Sequence, residues 1–269
     1  MNKSKVCIVV PLHKDELNEY EQISLKTIQK HFIYEKKFLL TYFENKINIP
    51  NFEKKIFDRK HFKNIESYND LCLSIDFYKS FLDYEYILIC QLDVIVIKNE
   101  ILKYIHEKLS YIGAPTGKKN PFFRKEKKLW ARRYFCNGGF SLRNVNDFIN
   151  TLESSKVSFP LNYLVIYECM KSGFLKYFKL YFKTFFSKNK FKGEFFAKNF
   201  YLKEDTFWTY FSNLFNKDFK LPTLRQSTSF SFDGEPYFYY KKNKFKLPMA
   251  LHGHFKYLDF LKTIKHNFK

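Results

Sequence analysis

Glycine and proline are scarce, at eight each in 269 residues. This excludes a collagen-like repeat or a Gly/Ser-linker architecture, and no cluster of either residue marks an interdomain hinge. Arginine is scarcer still, supplying six of the 47 basic residues. The five cysteines, at 7, 72, 90, 136 and 169, form no C-x-x-C pair and are odd in number. Neither a zinc site nor a disulfide framework is therefore indicated, and a reducing cytoplasm fits. No apolar run approaches the roughly 18 residues of a membrane span. Val6 to Leu12 follows Lys3 and Lys5 in the manner of a secretory leader. His13, Lys14, Asp15 and Glu16 end that run without a small-residue cleavage site.

What is abundant is lysine and aromatic side chain. Hydrophobic residues make up 45% and aromatics 21% of the chain, and the formal net charge is +20. The first two figures exclude a disordered chain, and the third points to an anionic partner. Part of the lysine, phenylalanine and tyrosine excess would follow from AT-rich coding alone. The length is that of one large or two small domains. With no internal repeat and no linker, the expectation is one domain spanning residues 1–269.

Val6 to Val10 is a β-branched run stopped by Pro11, as in a central strand buried on both faces. Ile23, Ile28 and Phe32 then recur at roughly helical spacing before a second β-prone run, Phe38 to Tyr42. Leu71, Ile75, Phe77, Tyr78 and Phe81 predict a helix over 67–81, leading into a strand over 86–90 that resumes, past Gln91 and Asp93, as Val94 to Ile97. This alternation predicts an α/β fold with a mostly parallel central sheet and helices on both faces, whose ligands sit at the carboxyl ends of the strands.

Four polar elements stand out. Gln91 and Asp93 end a buried strand and alternate to the same face, so both point into one cleft; a lone strand-end Asp can equally serve a turn. Asn137, Gly138 and Gly139 bring two of the eight glycines together ahead of an apolar alternation. That pattern is either a plain turn or backbone closely approached by a ligand. Glu204 and Asp205 precede an aromatic stretch and could cap a helix start or act as acid and base. His252 and His254 lie two residues apart after a short apolar run, a spacing found in ordinary core or surface histidines as well as in metal ligands.

In their order and spacing these elements resemble the GT-A glycosyltransferases, above all a bacterial subgroup of uncharacterised domains. The likeness is carried by Tyr86-Ile-Leu-Ile-Cys-Gln-Leu-Asp93, Tyr111-Ile-Gly-Ala-Pro115, Asn137-Gly-Gly-Phe-Ser-Leu-Arg143 and His252, and it spans residues 5–254. It implies a Rossmann-like nucleotide-sugar-binding half (1–115), an acceptor and catalytic half (116–255) and a basic tail (256–269). It further implies transfer of a sugar from a nucleotide-diphosphate donor to a hydroxyl of a bacterial surface glycan or a lipid-linked saccharide. By the same resemblance Asp93 and His252 hold a divalent cation, Mn²⁺ or Mg²⁺. Gln91 replaces the first carboxylate of the family's Asp-x-Asp and would leave the site one negative charge short. Asp205, with Glu204 beside it, matches the element that bears the base of an inverting transfer. Pro11, Leu12, His13, Tyr68, Asn69, Gln91, Gly113, Ala114, Asn137, Gly138, Gly139 and His254 are the expected substrate contacts.

The segment 171–200 reads as a basic amphipathic helix. At 100° per residue Lys176, Lys179 and Lys183 share one side, with Phe174, Phe178, Tyr181 and Phe185 opposite. It is either a core-facing helix with a solvated lysine face or a contact for an anionic membrane surface, which would make the enzyme peripheral at the cytoplasmic face of the membrane. The alternative is a basic module without catalysis that binds membrane surfaces or single-stranded nucleic acid. Scarce arginine, the lack of a nucleic-acid motif and the four polar elements argue against a nucleic-acid partner.

Overall fold

A computed structural model describes residues 4–116, 135–155, 192–199 and 203–265. Its centre is a six-stranded sheet built from β1 (Ser4–Pro11), β2 (Lys36–Thr41), β3 (Glu53–Ile56), β4 (Tyr84–Cys90), β6 (Tyr111–Thr116) and β7 (Phe135–Asn144), in the order β3-β2-β1-β4-β7-β6. β1 runs parallel to β2 and β4, and β2 parallel to β3; β7 is antiparallel to both β4 and β6. The sheet is thus mostly parallel, with β1 inside it.

Two apolar layers cover the sheet. Alternate residues of β1 enter opposite layers, Cys7 and Val9 one, Ile8 and Val10 the other, and all four are fully buried. This is why the run reads as continuously apolar. On the Cys7 side lie α2 (Ile65–Cys72), α3 (Ile75–Lys79), α5 (Val145–Glu153), α6 (Gly193–Asn199), α7 (Glu204–Tyr210) and α8 (Ser212–Phe215). There Trp208 of α7 packs on Phe148 of α5 with ring centroids 3.9 Å apart. On the other side are α1 (Glu19–His31), α4 (Ile101–His106) and α9 (Leu224–Phe230). Helices α10 (Pro236–Lys242) and α11 (Leu258–Lys265) add a third, smaller cluster around Phe232 and Phe260.

The sequence predicts one helix over 67–81; the structure divides it into α2 and α3. Ser74 ends the continuity because its hydroxyl accepts the Phe77 N–H at 3.2 Å, capping a new helix. The predicted continuation of β4 past Asp93 is also corrected. β5 (Val94–Val96) leaves the central sheet and forms a second, three-stranded one with β9 (Ala250–His252) and β8 (Ser231–Phe232).

The four described cysteines are buried; Cys169 lies outside the described residues, as do Lys176, Lys179 and Lys183 with their opposing aromatic residues. Among the described residues no helix is long and apolar enough to cross a membrane.

Candidate active site

A cleft of about 570 Å³ opens at the carboxyl ends of β1 and β4, where open α/β sheets bind ligands. Of the residues singled out in the sequence, Pro11, Leu12, His13, Tyr68, Gln91 and Asp93 line it. Lys14, Tyr20, His61, Phe62, Lys63 and Phe255 line it too, unanticipated. Their signal was present: Asn18 and Asn64, also at the cleft, each begin a helix with a capping box, to Glu21 and to Ser67. Two helix starts beyond strand ends mark a cleft mouth. Lys14 is already engaged by Glu21 at 2.6 Å.

The second sheet assembles the polar centre. β9 is its middle strand, pairing Val94 with His252 on one side and Phe232 with Leu251 on the other. Asp93 immediately precedes β5 and Asp233 immediately follows β8, so the two carboxylates flank the imidazole. His252 Nε2 lies 3.3 Å from Asp93 Oδ1, and Nδ1 lies 3.3 Å from Asp233 Oδ1. Both ring nitrogens are buried and neither makes a well-formed hydrogen bond. Burial alone would lower the pKa of His252, but contact with Asp233 and Asp93 outweighs it and lifts the value to about 9. Burial works against the Asp93 carboxylate as well, and His252 more than reverses that, holding its pKa below the usual carboxylate range.

Asp233 escaped the sequence reading. The alternation Phe230, Phe232 followed by Asp233-Gly234 is a strand-and-turn signal, but its pairing with β9 is not a local property. Asp233 Oδ2 accepts from Asn137 Nδ2 at 3.3 Å, while Asn137 Oδ1 accepts the Gly139 N–H at 2.7 Å. Asn137 therefore ties the glycine pair to the His252 cluster.

That pair lies in a bulge of β7. Along β6 the register moves by one residue, from Gly113 to Ala114, while along β7 it moves from Ser141 to Asn137. A methyl at Gly139 would overlap His252 Nε2 and stand 2.6 Å from Gln91 Oε1. These two groups therefore converge on one point over bare backbone. A methyl at Gly138 would overlap Glu204 Oε1.

Glu204 and Asp205 occupy the first turn of α7. Glu204 is buried and accepts from Arg143 Nη2 at 2.9 Å. Arg143, fully buried, also donates to the Tyr78 hydroxyl at 3.0 Å and to the Ser141 hydroxyl at 3.0 Å. Asn69 stands beside this pair, with its Oδ1 3.5 Å from the Glu204 N–H. Asp205 is half-buried; burial, and then the charge of Glu204, push its carboxyl up to about 7. Its Oδ1 accepts the Thr206 N–H at 2.7 Å.

Several predicted contacts stand apart from the cleft lining. Gly113 and Ala114 are in β6, where Ala114 is fully buried and a methyl on Gly113 would overlap the Asn137 carbonyl oxygen. His254 is buried; its backbone N–H and its Nδ1 lie 3.1 and 2.8 Å from the Asp93 carbonyl oxygen. Gly253, at φ +68°, makes the turn that brings it there. Burial lowers its pKa, so the neutral ring donates through Nδ1 and anchors the backbone of Asp93. Asn137 and Gly139 touch the polar centre and Gly138 adjoins Glu204, but none of these residues, nor Asp205, lines the cleft.

The donor chemistry fits a hard divalent cation: a carboxylate oxygen, an imidazole nitrogen and an amide oxygen converge, two of the atoms buried without a hydrogen bond. Among the described residues no set of three or more His, Cys, Asp and Glu side chains could hold a metal ion.

Residues 51–252 match the model of a family described as "Protein of unknown function (DUF5672)". The chain belongs to this family. No curated protein matches this DUF5672 chain. Solved structures similar to it include the galactosyltransferase LgtC in complex with donor and acceptor sugar analogues, at 13% identity, 53% coverage of this chain and TM-score 0.39. They also include A197 from STIV, at 15% identity, 54% coverage and TM-score 0.32. A third is core-mannan synthase A (CmsA/Ktr4) from Aspergillus fumigatus in an Mn/GDP form, at 9% identity, 54% coverage and TM-score 0.37. The DUF5672 chain spans 59%, 67% and 61% of their respective lengths.

Proposed function

We propose that this protein is a GT-A-type glycosyltransferase that binds a nucleoside-diphosphate sugar in the 570 Å³ cleft and transfers the sugar to a hydroxyl of a glycan or lipid-linked saccharide. One observation carries the reading: Gln91 and Asp93 are joined at the carboxyl end of β4, beside an open cleft, by His252 from far along the chain. The motif resemblance and the sheet order agree with it.

In this reading Asp93 Oδ1, His252 Nε2 and Gln91 Oε1 would hold Mn²⁺ or Mg²⁺, the cation displacing the proton that the two carboxylates otherwise keep on His252. The cation would offset the negative charge that develops on the departing diphosphate. Asp233 supports His252 from behind, and His254 fixes the backbone of Asp93. Pro11 to His13, Tyr20, Phe62 and Tyr68 supply apolar and aromatic walls suited to a nucleoside. Asp205 is the proposed base. A carboxyl held at about 7 is poised to take the proton of the acceptor hydroxyl as its oxygen bonds to the anomeric carbon and the bond to the diphosphate breaks, inverting the configuration. Glu204, held by Arg143, positions Asp205. The lysines of segment 171–200 are proposed to meet an anionic membrane surface at which the acceptor is presented.

Calorimetry with UDP, GDP, ADP and dTDP sugars, with Mn²⁺ or Mg²⁺ present, tests this directly. Saturable binding of one sugar nucleotide, weakened by Asp93→Asn, is the expected result. Absence of binding by all of them, together with tight binding of single-stranded RNA at physiological salt, would sink it.

A further inference from the structure

A second cleft, of about 420 Å³, lies on the other side of the Asp233 turn. It begins at Gly234, one residue past the carboxylate that faces His252, and is completed by Lys256 and Tyr257, four and five residues past His252 itself. Helices α10 and α11 form its walls. Gly234 has φ +79° and nothing within 4 Å of where a side chain would start, so the floor of the turn is open backbone.

The lining is chemically uneven. Tyr237 is 55% exposed, its ring set edge-to-face against Phe260 at 5.0 Å. Tyr257 is half-buried beside it, its hydroxyl reaching the Gly234 backbone. The charged groups that line it are two carboxylates, Glu235 and Asp259, and one ammonium, Lys256, with the Lys262 ammonium 3.5 Å from Asp259. On a chain of net charge +20, a cleft whose ammonium groups are matched by carboxylates offers no excess positive charge to select an anion. Exposed aromatic rings beside hydrogen-bond acceptors and one donor match a ligand that is neutral, apolar on its C–H faces and hydroxylated at its edges. The volume is within the roughly 300–1,000 Å³ of small-molecule sites.

We infer that this second cleft is a neutral-saccharide subsite, in which the Tyr237 and Tyr257 rings take the sugar's C–H faces and Glu235 and Asp259 accept from its hydroxyls. It rests on the glycosyltransferase reading for its purpose, as the place where the acceptor glycan is gripped. Its location does not depend on that reading. A grip at the Asp233 turn would place one end of an acceptor chain near the polar centre and lead the remainder away between α10 and α11.

Saturation-transfer NMR with lactose, maltose, cellobiose and methyl mannoside on the full chain, alongside calorimetry with sugar nucleotides, tests the subsite and the donor reading separately. At least one saccharide is expected to receive saturation, with affinity falling at least tenfold in Tyr237→Ala, retained in Tyr237→Phe, and sugar-nucleotide affinity the same in all three proteins. Matching melting curves would establish that the exposed ring was removed without unfolding. Binding of none of the four saccharides, or binding indifferent to Tyr237→Ala, overturns the subsite even where a sugar nucleotide binds. Saccharide binding that depends on Tyr237, with no sugar nucleotide bound, keeps the subsite and removes the transferase reading.

Discussion

Arg143 Nη2 and Glu204 Oε1 meet at 2.9 Å, and both side chains are buried. Gly138 makes the approach possible, since any side chain there would occupy the position of the Glu204 carboxylate. The acidic pair at the start of α7 is thus divided in role. Glu204 is bound into the sheet by Arg143, while Asp205 keeps a carboxyl that titrates near neutrality.

Removing one partner of a buried ion pair leaves the other charge uncompensated, typically costing about 3–5 kcal/mol. Glu204→Ala is therefore expected to lower urea-unfolding stability by that order, and Gly138→Ala to act in the same direction by displacing the Glu204 carboxylate. A Glu204→Ala protein as stable as the parent would show that the pair does not hold the fold.

Asp205→Asn should separate chemistry from stability. The folded pKa of Asp205, about 7, lies above the ordinary carboxyl value, so the folded state binds the proton more tightly. Its contribution to stability is present at low pH and is lost as pH rises towards 7. An amide has no such penalty, so the variant should melt higher than the parent at pH 8 and equally at pH 3.5. Transferase turnover should fall roughly 10²- to 10⁴-fold. In the parent, turnover should rise with pH through an apparent pKa near 7. Unchanged turnover in the variant would remove the base assignment.

Gly139→Ala places a methyl against the far ends of two side chains, His252 Nε2 and Gln91 Oε1, rather than against backbone. The chain should fold, because those side chains can move. Mn²⁺ affinity, read by the paramagnetic relaxation of water protons, should drop at least tenfold. Parent-like affinity would show that the cation does not sit over this glycine.

Asp233→Asn tests the support of His252. A carboxylate behind a ligating imidazole orients the ring and raises its basicity, and its loss commonly costs about 10–100-fold in metal affinity. That loss, with sugar-nucleotide affinity in the absence of metal unchanged, is the expected pattern. Equal Mn²⁺ affinity in both proteins would reduce Asp233 to a turn residue.

Much of the sheet could be read from the sequence, for a local reason. β1, β2 and the end of β4 are covered on both faces, so Val6 to Val10 and Tyr86 to Cys90 are unbroken apolar runs, and Phe38 to Tyr42 is broken only by the buried Thr41. Gln91 and Asp93 were legible as the first polar residues beyond such a run, and chain alternation alone directs both toward the strand-end cleft. The division of the 67–81 helix was harder to see, because the hydroxyl of Ser74 interrupts a periodicity that the apolar residues around it maintain.

The sequence by itself determined the strands and helices whose burial repeats with their own period, and the position of a carboxylate at the end of β4. Only the tertiary structure decided what that carboxylate meets. Asp93, His252 and Asp233 come together because β9 enters between β5 and β8, an arrangement set by backbone hydrogen bonds between segments far apart in the chain. No local pattern encodes such pairing. Likewise, Glu204 and Asp205 look equivalent side by side in the sequence. They part in role because Arg143, brought in by the bulged β7, reaches one carboxylate and leaves the other to its buried surroundings.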